Sequence, residues 1–308
     1  KDFPISLYVK KRPQNKSEAK TVSLMGDPLI PVDFNNIADA REFLKEYQDT
    51  LDIFGQTAFA YQFIANKYPE TITFDFNKIK VLVIDLECAY DETGFPTPEK
   101  ASQPILSIAC KVLGDKMPFV VFGVKDRSRD DYFTYIKCDN EEHLLKAFQK
   151  YWQEINPDIV TGWNVELFDI PYIVNRCNRV MGEEFTKKFS PFHSNLDKCI
   201  TSYEVREYES KSYSIVGVTV IDYLILYKKY SMATLESYRL EVVAQHELGM
   251  GKIDYSEYDG LMGLYRDNFD LFLHYNYIDV KIVEDLEKKL NFLYLVATVS
   301  YLGKSKFQ

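Results

Sequence analysis

Four acidic residues, Asp85, Glu87, Asp169 and Asp279, stand in three separate contexts that could build one oxygen-only metal site. Asp85 and Glu87 end the apolar run that starts after Lys80, Val-Leu-Val-Ile-Asp-Leu-Glu. On a β-strand they are residues i and i+2, so both side chains leave the same face. Asp169 follows Gly162-Trp-Asn-Val-Glu-Leu-Phe168, where a short apolar strand gives way to a helical pattern. Asp279 lies inside another helical pattern, four residues after Tyr275, so that pair shares a helix face. Carboxylates at the end of a buried strand are costly unless something compensates them. Oxygen-only ligation favours Mg²⁺ or Mn²⁺ as the compensator. Two charges ~5 Å apart at an effective dielectric of ~20 repel by roughly 3 kcal/mol, and two divalent ions would relieve several such repulsions at once. Such a pair of ions supports in-line displacement at a phosphodiester, activating a water and stabilising the leaving oxygen.

Each context alone has an ordinary explanation. Asp-x-Glu can close a strand as a turn, Tyr-x-x-x-Asp can be a surface hydrogen bond, and Asn164 and Asp169 can be turn and cap residues. The combination, in this order and with long spacers, carries the weight.

The elements that must position these groups are legible as patterns. Ile79–Leu86, Ile105–Leu113 and Phe119–Val124 are β-rich runs broken by polar or turn-forming segments, which predicts a three-strand meander. Glu141–Ile155 has Leu144, Leu145, Phe148 and Trp152 at helical spacing. Asp158–Trp163 and Thr219–Asp222 are short strands, and Asp169–Met181 is a helix with Pro171 in its first turn. Tyr203–Val220 alternates around Glu209-Ser-Lys-Ser212, which predicts a long exposed hairpin. Helical segments follow at Leu235–Leu248 and Phe269–Leu302. Strands first and helices interleaved later imply an α/β fold, a mixed sheet flanked by helices. Before it, residues 1–76 form a smaller α+β unit. It has a strand at Ile5–Lys10, a disordered or hairpin connection at Arg12–Lys20, and helices at Asn36–Asp49 and Thr57–Lys67. The expected domains are therefore 1–76 and 77–308.

The chain has 308 residues, 46% hydrophobic and 15% aromatic, enough for one large or two moderate domains. Its longest apolar run, Leu290 to Leu302, is interrupted by Asn291, Thr298 and Ser300, so no membrane partner is expected. Cys88, Cys110, Cys138, Cys177 and Cys199 have no zinc-type spacing and are expected to be reduced, mostly buried thiols of a cytoplasmic protein. A net charge of −9 argues against a nonspecific duplex binder. It does not exclude a nucleic-acid enzyme whose metals invert the local sign.

Val83-Ile-Asp-Leu-Glu87, Thr161-Gly-Trp-Asn-Val-Glu-Leu-Phe-Asp-Ile-Pro-Tyr-Ile173 and Tyr275-Asn-Tyr-Ile-Asp-Val280 resemble the three exonuclease motifs of family B DNA polymerases. Val220-Ile-Asp-Tyr-Leu-Ile-Leu-Tyr-Lys-Lys-Tyr230 and Ser237-Tyr-Arg-Leu-Glu-Val-Val-Ala-Gln-His246 resemble the tailed-bacteriophage branch. The resemblance covers at least residues 79–303 and, more weakly, the first unit. It implies a ribonuclease-H-like 3′→5′ exonuclease that proofreads a primer 3′ end with two Mg²⁺ or Mn²⁺ ions. On that pattern Asp85, Glu87, Asp169 and Asp279 match metal ligands, and Tyr275 matches the residue orienting the attacking water. Asp222 matches a supporting acidic position, or is a structural strand-end carboxylate. Asn164 and Phe168 match positions that hold the unpaired 3′ end. The hairpin resembles the element separating primer from template, with Lys211 at its tip on DNA, or is merely an exposed loop.

His274 and Tyr275 satisfy two alternative exonuclease spacings to Asp279. Adjacent helix positions point about 100° apart, so only one can face the metals, and the flanks favour Tyr275. No Tyr-Gly-Asp-Thr-Asp-Ser-like or Ser-Leu-Tyr-Pro-like segment occurs, so polymerisation is not expected of these residues. Lys187-Lys188 and Lys228-Lys229, the main basic pairs, are solvated faces or phosphate contacts. The expected partners are DNA, as a single-stranded 3′ end or primer–template, and the missing polymerase domains, in a monomer working in the bacterial host cytoplasm if phage-encoded. The competing readings are a free-standing DNA or RNA exonuclease of the same acidic class and a degenerate, non-cutting binding domain.

Overall fold

Backbone contacts divide the chain into two units, Lys1–Thr73 and Phe74–Gln308. The computed structural model describes residues 3–12, 19–70, 73–91, 94, 96–114, 116–129, 132–193, 199–205, 210–251 and 253–303. Most of the expected connection at Arg12–Lys20 lies outside them.

The first unit runs β1 (Ile5–Lys10), β2 (Thr21–Val22), β3 (Pro28–Phe34), α1 (Ile37–Tyr47), β4 (Ile53–Phe54) and α2 (Phe59–Lys67). Its sheet has the order β2-β3-β1-β4, with β1 antiparallel to both neighbours. Alternate β1 residues Ile5 and Leu7 are fully buried and pack with Ala40 and Phe59. Asn36 starts α1 by accepting the Asp39 N–H at 2.9 Å.

The second unit runs β5 (Val81–Cys88), β6 (Ile105–Val112), β7 (Val120–Gly123), β8 (Thr134–Lys137), α3 (Glu141–Ile155), β9 (Ile159–Gly162), α4 (Asp169–Met181) and the short α5 (Glu183–Thr186). It continues with β10 (Ile200–Val205), β11 (Ser210–Ile215), β12 (Thr219–Asp222), α6 (Tyr223–Tyr230), α7 (Leu240–Leu248), α8 (Gly260–Asp267), α9 (Phe269–Leu290) and α10 (Phe292–Gly303). Six strands form one mixed sheet, β12-β9-β5-β6-β7-β8. β5, β6 and β7 pair antiparallel in succession, which is the expected meander, while β9 and β12 run parallel to β5. This is the helix-flanked mixed sheet of the ribonuclease-H-like expectation.

The two-residue period of β5 sorts its side chains between two cores. Leu82, Ile84 and Leu86 pack with Leu144, Phe148 and Trp152 of α3 and Ile170 and Ile173 of α4. Val81 and Val83 pack on the opposite face with Tyr223 and Leu226 of α6 and Phe272, Val280 and Val283 of α9. Each such fully buried side chain contributes roughly 1.5–3 kcal/mol. Asp85 and Glu87 continue the Val81–Val83 series, so they emerge on the α9 face.

Several boundaries differ from the sequence expectation for identifiable reasons. The apolar run Phe269–Leu302 is two helices, because Asn291 takes a left-handed conformation with φ 54° and ends α9. Buried Glu287 then accepts the Leu293 and Tyr294 N–H groups at 3.1 and 3.3 Å, satisfying the start of α10. α7 begins at Leu240 rather than Leu235, and α6 and α8 were unanticipated. The hairpin starts at Ile200 rather than Tyr203, with Ile200 opposite Ile215 and both packed into the α3–α4 core. That register corrects the placement of Lys211. It pairs opposite Glu204 within β11, not at the tip, and residues 206–209 between the strands lie outside the described residues.

All five cysteines are free and buried. Among the described residues no helix is long and apolar enough to cross a membrane.

Candidate active site

Pairing between β5 and β9 stops at Val83 and Thr161, because β9 ends one residue later at Gly162. Glycine is required there: a Cβ would lie 2.4 Å from the Ile84 carbonyl oxygen. Asn164 turns the chain with φ 66°, a conformation asparagine tolerates better than most residues. The turn delivers Asp169 to the first residue of α4. Its Oδ1 accepts the Leu86 N–H at 3.1 Å, a donor that β9 is too short to reach. Asp169 thus sits buried against the backbone between Asp85 and Glu87.

From the other side, α9 packs across β5 and β6 and brings up Asp279. Asp85, Glu87 and Asp279 each offer a carboxylate oxygen, and these oxygens lie within 4.8 Å of one another. Asn276, one turn before Asp279 and fully buried, donates its amide to Asp85 Oδ2 at 2.6 Å and to the Asp85 carbonyl at 3.3 Å. Its own Oδ1 accepts the hydroxyl of Ser107, also fully buried, at 2.9 Å. Ser107 orients Asn276, and Asn276 fixes the rotamer of Asp85.

The electrostatics suit a hard cation. The donor set is oxygen alone, with no His or Cys in the cluster. Burial pushes the Asp169 carboxyl well above the usual carboxylate range, and the charges of Asp222 and Asp279 push it the same way. A divalent ion among these groups would reverse both effects.

Asp222 lies outside the cluster. Its Oδ1 accepts the N–H groups of Asn164 at 3.1 Å and Leu224 at 2.9 Å, and its Oδ2 accepts that of Glu166 at 3.1 Å. One buried carboxylate therefore anchors the β9–α4 loop and starts α6. Burial is the main reason its carboxyl is pushed up to about 6. Glu166 ties the same loop to the hairpin: its Oε1 accepts Tyr203 OH at 2.5 Å and its carbonyl accepts Ser212 Oγ at 2.7 Å.

Asn164 lines a cleft of about 570 Å³ together with Asp85 and Asp279. Phe168 stacks on Tyr172 one turn into α4, with centroids 5.5 Å apart. Tyr275 packs edge-on against Tyr255 at 5.3 Å. His274 points elsewhere, against Tyr132 and Tyr277, in a separate hollow that also contains Arg127 and Arg129. The exposed Lys211 stands on the hairpin strand and does not line the cleft.

Sequence reasoning missed Asn276, Ser107 and the cleft wall of Trp163, Tyr238 and Arg239, and marked Lys228 only as half of a basic pair that is a solvated face or a phosphate contact. Asn276 and Ser107 carried no local signal of their own: Asn276 shares its helix face with Asp279, and Ser107 shares its strand face with the buried Lys111. The wall's one signal was the Lys228-Lys229 pair, which could not be placed beside the carboxylates without α6.

A family model described as DNA polymerase family B, exonuclease domain, matches residues 59–243. The chain belongs to that family. It is 33% identical to the DNA-directed DNA polymerase of Enterobacteria phage T4, in an alignment covering 95% of this chain and 35% of the relative. The DNA-directed DNA polymerase of Escherichia phage RB69 is 31% identical, with 94% and 34% covered. The DNA polymerase delta catalytic subunit of Mesocricetus auratus is 30% identical over 57% of this chain and 16% of its own length. The family B chain thus spans about a third of the two phage relatives.

Proposed function

We propose that this chain is the 3′→5′ proofreading exonuclease portion of a longer family B DNA polymerase, whose remaining domains carry out polymerisation. It removes the terminal nucleotide of a primer strand as a deoxynucleoside monophosphate. The observation that carries this reading is the convergence of Asp85, Glu87 and Asp279 within 4.8 Å, beside Asp169, in a chain of the exonuclease family. Residues 77–308 are the exonuclease domain, and 1–76 correspond to part of the polymerase N-terminal domain. The protein acts as a monomer on a single-stranded 3′ end or a frayed primer–template.

Asp85, Glu87, Asp169 and Asp279 would hold two divalent ions, Mg²⁺ or Mn²⁺. Bound there, such ions supply an activated water and charge stabilisation for the leaving oxygen, the main source of a barrier reduction on the order of 20 kcal/mol. The chain's own side chains prepare the site. Ser107 and Asn276 lock Asp85, and Asp222 fixes the loop that carries Asn164. Asn164 and Phe168 receive the unpaired 3′ nucleotide, Phe168 offering a base an aromatic face already backed by Tyr172. Tyr275 orients the attacking water, His274 is a packing residue, and Lys211 meets the DNA backbone from the side of the hairpin.

A 5′-labelled single-stranded oligodeoxynucleotide should shorten one nucleotide at a time in Mg²⁺, and stop shortening in EDTA or with Asp85→Ala. Undiminished shortening by Asp85→Ala, or internal cuts before terminal ones, overturns the reading. Robust shortening of RNA in the same assay favours a free-standing exonuclease instead.

A further inference from the structure

The cleft that holds Asp85 and Asp279 has a second wall of opposite charge. Asp222 starts α6, and on that helix Leu224 and Lys228, four residues apart, both line the cleft. The segment entering α7 supplies Ser237, Tyr238, Arg239 and Glu241, so this wall carries two cations and one carboxylate. The wall is tied down from the loop side, since the Trp163 indole N–H donates to the Tyr238 carbonyl at 3.2 Å. Lys228 Nζ lies 5.7 Å from the centroid of the Tyr238 ring. Arg239 is exposed and makes no ion pair with a carboxylate among the described residues. An acidic floor therefore faces an aromatic wall that is net positive, Lys228 and Arg239 against Glu241, across one cleft in a chain of net charge −9 that repels polyanions at long range.

We propose that Lys228 and Arg239 form a phosphate subsite, which takes the sugar–phosphate backbone of a single strand next to the nucleotide to be removed. This rests on the exonuclease reading of the same cleft. The ligand class follows from the donors. A planar guanidinium fork and an ammonium point charge suit phosphate oxygens, while Trp163 and Tyr238 offer apolar surface to the sugar and base without selecting a sequence. The wall also answers an electrostatic need. A strand approaching the carboxylates meets repulsion unless cations stand on its other side.

The test is fluorescence anisotropy of a 5′-fluorescein oligothymidylate in Ca²⁺ across a salt series, for wild type, Lys228→Gln, Arg239→Gln and Lys229→Gln. Lys229 is the control: the same charge on the same helix, but not lining the cleft. Lys228→Gln and Arg239→Gln should each weaken binding about tenfold and lower the salt slope by about 0.7, with Lys229→Gln near wild type. Wild-type affinity and slope in the cleft variants, an equal loss in Lys229→Gln, or no binding by wild type would each overturn the subsite. The exonuclease reading is judged separately, by Mg²⁺-dependent shortening that Asp85→Ala abolishes.

Discussion

Asn276→Leu keeps the side-chain volume of a fully buried helix position while deleting every hydrogen bond it makes. The residue donates to a carboxylate oxygen of Asp85 at 2.6 Å and accepts from the buried Ser107 hydroxyl. A hydrogen bond to a charged group is worth about 1.5–3 kcal/mol, and a stranded buried hydroxyl costs about 1–3 kcal/mol. Part of the second cost is recovered when the Ser107 hydroxyl rotates, so a loss of about 3 kcal/mol is expected in urea unfolding in EDTA. The effect on the metal is the sharper readout. Releasing Asp85 from its rotamer should weaken Mn²⁺ binding by about 10- to 100-fold in titration calorimetry, because partners of metal ligands commonly carry that much affinity. Ser107→Ala, which leaves the amide but removes its orienting donor, should cost about 1 kcal/mol and weaken the metal less. Wild-type Mn²⁺ affinity in Asn276→Leu, even with the full stability loss, would refute the positioning role. A larger metal defect in Ser107→Ala than in Asn276→Leu would refute the direction of the relay.

Two further outcomes follow from the site. Tyr275→Phe should cut nuclease turnover at least about tenfold, while His274→Ala, in its separate hollow with Tyr132, should leave turnover near wild type; the opposite ranking assigns the water to His274. The carboxyl of Asp222 is pushed from an ordinary 3.8 up to about 6, chiefly by burial, so the fold retains this proton more tightly than the unfolded chain does. Its stabilising contribution is complete below about pH 4 and is lost as pH rises to about 6, by up to about 3 kcal/mol. In EDTA the unfolding free energy of wild type minus that of Asp222→Asn should fall across that window, and a flat or rising difference refutes the assignment.

Local chemistry made much of the fold legible. α3 and α4 fall at their expected bounds because Asn140 caps the first and the strand–turn Gly162–Phe168 launches the second. The strand carrying Asp85 and Glu87 was readable from its apolar lead-in and its period. What escaped was set by distant contacts. β8 (Thr134–Lys137) is a short, half-exposed strand with no fully buried residue, and its pairing with β7 defines it. α6 continues the apolar run of β12, and only the Asp222 side chain, accepting the Leu224 N–H, marks where strand becomes helix. Without α6 the cationic wall of the cleft could not be placed. The relay from Ser107 through Asn276 to Asp85 joins three elements far apart in sequence, so no local pattern could reveal it.

Anomalous diffraction from crystals soaked in Mn²⁺ tests the metal centre most directly. A peak is expected about 2.0–2.4 Å from carboxylate oxygens of Asp85, Glu87 and Asp279, and it should vanish in Asp85→Ala. Crystals that take up Mn²⁺ elsewhere while these three carboxylates stay without density between them would contradict it.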